Sequence, residues 1–197
     1  MVYHRLRGFY QLSEDDWAEI DQYRRQIRQA VEEIQKSESL DKGSRPHVQY
    51  QVWEPEEDVT EDTVSIRDPA SGKMSSFPVK RTLTFSETVL RIMQEKGYKR
   101  PDVYRRACID RTLFSKLLAN RNYSPSKDTA VAVAFALELD LSEAEILLRR
   151  AGYALSHSIA RDIVIECCFK EHLHEVVKVN IILQQLGYLP LNKIAYR

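Results

Sequence analysis

The chain has 197 residues, with 29 Lys and Arg against 29 Asp and Glu; apolar residues make up 43% and charged residues 29%. That balance excludes collagen-like, mucin-like and disordered classes and suits a globular protein of one ordinary domain or two small ones. The longest uncharged apolar-rich stretch, Thr129 to Leu137, has nine residues, against the roughly 20 that span a bilayer. The amino terminus lacks the apolar run of a secretion signal, so no membrane attachment is expected. Three cysteines (Cys108, Cys167, Cys168) form no Cys-x-x-Cys pair, and reduced thiols in a cytoplasmic protein are the simplest expectation.

In chain order, Glu14 to about Ser37 reads as one long helix. Ser13 is its expected N-cap, Glu14, Asp15 and Asp16 suit the positive end of the helix dipole, and Trp17, Ile20, Ile27, Ala30, Val31 and Ile34 make a narrow apolar stripe. A stripe of this kind needs a partner, either the rest of the chain or a second copy in a homodimer. A polar loop follows near Ser37, then an alternating strand from His47 to Trp53, an acidic loop from Glu54 to Asp62, and a loose hairpin of Thr63–Arg67 and Met74–Val79. From Thr84 onward the pattern becomes helical, with capping boxes expected at Thr84/Glu87 and Ser142/Glu145, caps at Asp110 and Ser126, and stops at Gly97, Gly152 and Gly187. The reading is mainly α: a carboxyl-terminal bundle of about seven helices with a helix-turn-helix, preceded by a long helix and a small hairpin-like segment. Composition divides it at residue 81, since residues 1–81 carry net charge −4 and residues 82–197 carry +4.

Charge concentrates further between Arg91 and Lys127, where ten basic groups face only Glu95, Asp102 and Asp110. A local excess of that size attracts a polyanion even in a neutral chain. Residues 101–120 read as helix, tight turn at Ile109-Asp110, and second helix, with Leu113, Phe114, Leu117 and Leu118 inward and Arg111, Thr112, Ser115 and Lys116 outward. Arg reaches guanine edges with two hydrogen bonds, and Ser, Thr and Lys commonly bind phosphates or base edges. Arg105, Arg106, Asn120, Arg121, Asn122, Tyr123 and Lys127 complete the candidate surface, with Lys99 and Arg100 as further phosphate contacts and the amino end of the helix after Ser126 as a phosphate site.

Residues from about Thr88 to Gly152 resemble the five-helix DNA-binding domains of the Cro and phage lambda repressor (XRE) class. The matching stretches are Ile109-Asp-Arg-Thr-Leu-Phe-Ser-Lys-Leu-Leu118, Tyr123-Ser-Pro-Ser-Lys-Asp-Thr129 and Leu137-Glu-Leu-Asp-Leu-Ser-Glu-Ala-Glu145. The small Ala usual in the second helix of that class is Tyr104 here, and the turn Gly is Cys108. Thr84 to Pro190 is also similar to a helical module of bacterial proteins sometimes fused to macro domains, on Asp110-Arg-Thr-Leu-Phe-Ser-Lys116, Tyr123-Ser-Pro-Ser-Lys-Asp-Thr-Ala130 and Arg150-Ala-Gly-Tyr-Ala-Leu-Ser-His-Ser158. The resemblance implies a portable accessory unit.

Catalytic signals are poor. Cys167, Cys168, His172 and His174 lack a second ligand pair, and Leu155-Ser-His-Ser158 lacks a nucleophile-elbow turn. There is no Gly-rich phosphate loop and no His-Glu-x-x-His. No metal, cofactor or enzyme activity is expected. The expected function is a nucleic-acid-binding regulator acting on double-stranded DNA in transcription. The alternative is a protein-interaction adaptor or antitoxin-like component of a bacterial defence or toxin–antitoxin locus, binding a protein partner.

Overall fold

A computed structural model describes residues 10, 12–40, 59–69 and 71–192. The expected strand at His47 to Trp53 lies outside the described residues. The described chain is mainly helical, with eight helices and a two-stranded antiparallel sheet. In order these are α1 (Glu14–Leu40), β1 (Val59–Arg67), β2 (Met74–Thr82), α2 (Phe85–Glu95), α3 (Arg100–Arg106), α4 (Arg111–Ala119), α5 (Lys127–Ala136), α6 (Leu141–Arg150), α7 (Ala160–Lys170) and α8 (Val176–Gln185).

Short polar side chains set most of the helix starts. Thr84 and Glu87 form the expected capping box on α2, Asp110 caps α4 by accepting from the Thr112 N–H, and Ser126 caps α5 through the Thr129 N–H. The box on α6 differs from expectation: Asp140, not Ser142, is the cap, and Glu143 is its return partner. Asp140 wins because Leu139 and Leu141 turn inward around it, leaving its carboxylate beside the free N–H groups of the first turn. Several helices end in a left-handed residue, which is Gly97, Gly152 and Gly187 at three ends but Cys108, Glu138 and His172 at three others.

The core centres on α5, whose residues from Thr129 to Ala136 are all buried. It packs against α3, α6 and α8. Phe135 stacks on Phe169 of α7 with ring centroids 3.9 Å apart. Burial of α7 is nearly complete, Asp162 to Phe169 being inaccessible on every side.

Two features of the amino-terminal part become specific. The α1 stripe has an intramolecular partner: Trp17, Ile20, Ile27 and Val31 are buried on the same core as the later helices, with α1 lying across α7 and α8. Lys178 of α8 reinforces the contact, its Nζ lying 3.1 Å from Asp16 and 2.5 Å from Glu19. Of the two partners open to the stripe, the rest of the chain and a second copy, it meets the first. The acidic stretch 54–62 is not all loop either, because β1 already begins at Val59. Cross-strand pairing explains this: Glu61 faces Lys80 and Asp62 faces Val79, so the acidic residues fit an extended pair.

Candidate nucleic-acid interface

The segment α3–turn–α4 builds the candidate surface. Asp102 accepts from the Lys99 N–H at 3.0 Å and opens α3, with Pro101 in its first turn. At the other end Cys108 takes φ 52°, and the Ile109 N–H reaches back to the Tyr104 carbonyl at 3.0 Å. That pair of features closes the helix in the manner that usually recruits Gly. Cys108 thus adopts the left-handed conformation that favours Gly. Tyr104 lies half-buried with its ring 6.3 Å from that of Phe114.

Asp110 then starts α4 by accepting from the Thr112 N–H at 2.7 Å. Phe114, Leu117 and Leu118 are buried, and the buried Ser86 hydroxyl donates to the Leu117 carbonyl at 2.5 Å. These contacts clamp one side of α4 to α2. The opposite side is free: Arg111, Thr112, Ser115 and Lys116 are all exposed, and their spacing places them on one helical face. Among the described residues no carboxylate forms an ion pair with Arg111 or Lys116.

Much of the remaining basic cluster is committed inside the protein. Arg106 pairs with Glu138 at 2.7 Å and lies over the Tyr98 ring at 4.8 Å, and its charged form is held more firmly than usual, first by the Tyr98 hydroxyl. Arg121 pairs with Asp62 at 2.5 Å and Glu87 at 3.2 Å. Lys127 pairs at 2.5 Å with Asp162, which is buried. Lys96 donates to the Leu137 and Glu138 carbonyls, both at 2.9 Å, and so caps α5. Three of the site candidates, Arg106, Arg121 and Lys127, are thus engaged in intramolecular ion pairs. Between Arg91 and Lys127, the exposed cations outside such pairs are Lys99, Arg100, Arg105, Arg111 and Lys116.

The loop after α4 follows the same division. The Asn120 side chain accepts from the Asn122 N–H at 3.0 Å, Asn122 is exposed, and Tyr123 is half-buried against the core. The phosphate site expected at the amino end of α5 is occupied by the chain itself. Ser126 takes the Thr129 N–H, and Asp128 sits in that first turn paired with Arg161 at 2.8 Å.

The ion-pairing roles that sequence reading missed belong to Asp62, Glu87, Glu138 and Asp162. Arg81 joins two of them into one network, reaching Asp62 at 3.0 Å and Glu87 with both terminal nitrogens at 2.8 Å. The Thr63 N–H, then Arg81, holds Asp62 below the usual carboxylate range. Burial pushes Glu87 the other way, but hydrogen bonds from Arg81 and Thr84 outweigh it and leave it low. Local spacing carries no trace of these pairs, because their members come from separate elements.

Behind the turn lies a cavity of about 350 Å³ lined by Arg105, Arg106, Cys108, Glu138 and His174, among others. Burial raises the Cys108 thiol and lowers His174, so neither is poised as a thiolate or an imidazolium near neutral pH. Among the described residues no group of three or more His, Cys, Asp and Glu side chains is arranged to hold a metal ion, and no helix is long and apolar enough to cross a membrane.

No family model matches the chain, and neither a curated protein nor a solved structure matches it.

Proposed function

We propose that the chain is a DNA-binding regulatory protein in which α3, the Cys108–Asp110 turn and α4 act as a helix-turn-helix and α4 is the reading helix. The observation that carries this reading is the outer face of α4. Arg111, Thr112, Ser115 and Lys116 are exposed together, while the other side of the same helix is anchored in the core. A rigid helix presenting one Arg, one Lys and two hydroxyls suits the donors and acceptors of a major groove. Lys99, Arg100 and Arg105 flank it and supply phosphate contacts.

A protein-interaction adaptor is the second reading, and the exposed apolar residues of the hairpin favour it. Fluorescence anisotropy on a mixed-sequence duplex over rising salt separates the two. Three to five phosphate contacts give a slope of log affinity against log salt of about −2.7 to −4.5. Absence of binding at low salt contradicts the DNA reading and leaves the adaptor.

A further inference from the structure

We infer that the hairpin β1–β2 is a self-association arm, and that the face carrying Val64, Ile66, Phe77 and Val79 packs against the same face of a second copy. The register sets this face. Val64 lies opposite Phe77, Asp62 opposite Val79 and Ile66 opposite Ser75, and cross-strand partners share a side of the sheet. Val64, Ile66, Phe77 and Val79 are 45%, 57%, 52% and 40% exposed. The other side is polar over most of its length, with Ser65 and Ser76 hydrogen-bonded across it at 2.9 Å. The other large exposed apolar side chains beyond the hairpin, Leu90, Ile159 and Leu189, sit singly on separate elements.

Each edge of the hairpin has one backbone donor withdrawn from it, and the apolar face is its more continuous uncovered surface. Pro78 removes one donor from β2, and on β1 the Thr63 N–H is taken by the Asp62 carboxylate at 2.9 Å. Two strands alone are marginal in water and need a packing partner.

A second copy fits by charge and by area. At the base of the face Asp62 is neutralised by Arg81 and Arg121, and at the tip Asp68 and Lys73 cancel. Two arms crossing base to tip therefore meet no net repulsion. The four side chains expose on the order of 300 Å² of apolar surface per copy. Since an interface is only about 57% apolar, covering them implies about 1,000–1,200 Å² in total. That is the lower edge for specific association. The expected dimer is thus one of micromolar strength. It stands on the hairpin and does not depend on the DNA reading.

Sedimentation equilibrium of the full chain, with Val64→Glu and Val64→Lys variants, tests this. The parent is expected to dimerise between 1 and 100 µM, by the order of magnitude its area implies. Each charged variant should dimerise at least tenfold more weakly. An equimolar mixture of the two should recover the dimer, because opposite charges then meet across the two-fold axis; a merely misfolded arm would not recover. A parent that stays monomeric at about 1 mM, charged variants that dimerise like the parent, or a mixture that remains monomeric would each overturn the inference.

Discussion

Cys108 shows how a single residue can carry a fold pattern while hiding it. Its φ of 52° costs a β-carbon-bearing residue about 1–2 kcal/mol relative to the ordinary helical region. Cys108→Gly should therefore raise the melting temperature by a few degrees, read by thermal circular dichroism. A fall in melting temperature would show that packing of the thiol matters more than the backbone. Arg121 is the opposite case, a residue whose intramolecular partner the local sequence does not show. The Asn-Arg-Asn-Tyr loop reads as a phosphate contact, yet Asp62 lies 59 positions away in sequence and 2.5 Å away in space. Arg121→Ala should leave the salt dependence of DNA binding unchanged and speed hydrogen exchange of the hairpin amides, since it removes one tie between arm and body. A salt slope lowered by about one would restore it as a phosphate contact.

At the level of elements, much was legible in the sequence because helix starts and stops are local. Thr84 with Glu87, Asp110, Ser126 and the three glycines at 97, 152 and 187 act within four residues of themselves, and the structure uses each where the sequence put it. The partner of α1 was not legible. A narrow stripe of Trp17, Ile20, Ile27 and Val31 looks the same whether it meets a second chain or α7 and α8 of its own. The candidate surface was legible in part for the same reason. The outward set Arg111, Thr112, Ser115 and Lys116 follows from helical period alone, whereas the neutralising acids come from distant elements. Phe114, 1% exposed between α4 and its neighbours, should cost about 3–5 kcal/mol when changed to Ala, measured by chemical denaturation. Ile27→Asp should destabilise the monomer by a similar route, burying a carboxylate against α7 and α8. An unchanged denaturation midpoint for either would contradict the core described.

For the whole molecule, the Asp62–Arg81–Glu87–Arg121 network decides how the hairpin sits beside α2 and the loop after α4. Asp62 and Glu87 both titrate below their ordinary values. Groups lowered in the folded state add stability that is present above the unfolded pKa and lost as pH falls through the folded one. Protease cleavage of the hairpin should thus be slow at pH 6–7 and accelerate below about pH 4, the range where unperturbed carboxylates protonate. A rate independent of pH would show that the arm is held by other means. Such an arm, fixed beside a basic helix, would also set the distance between two α4 helices in a dimer. The central claim is that α4 reads DNA, and the affinity of Arg111→Ala/Lys116→Ala for the parent's preferred duplex tests it most directly. Both side chains are exposed, so the variant should keep the parent's circular dichroism and melting temperature. It should bind at least tenfold more weakly, since each contact contributes on the order of 1–3 kcal/mol. A folded variant that binds every duplex as tightly as the parent would contradict the account.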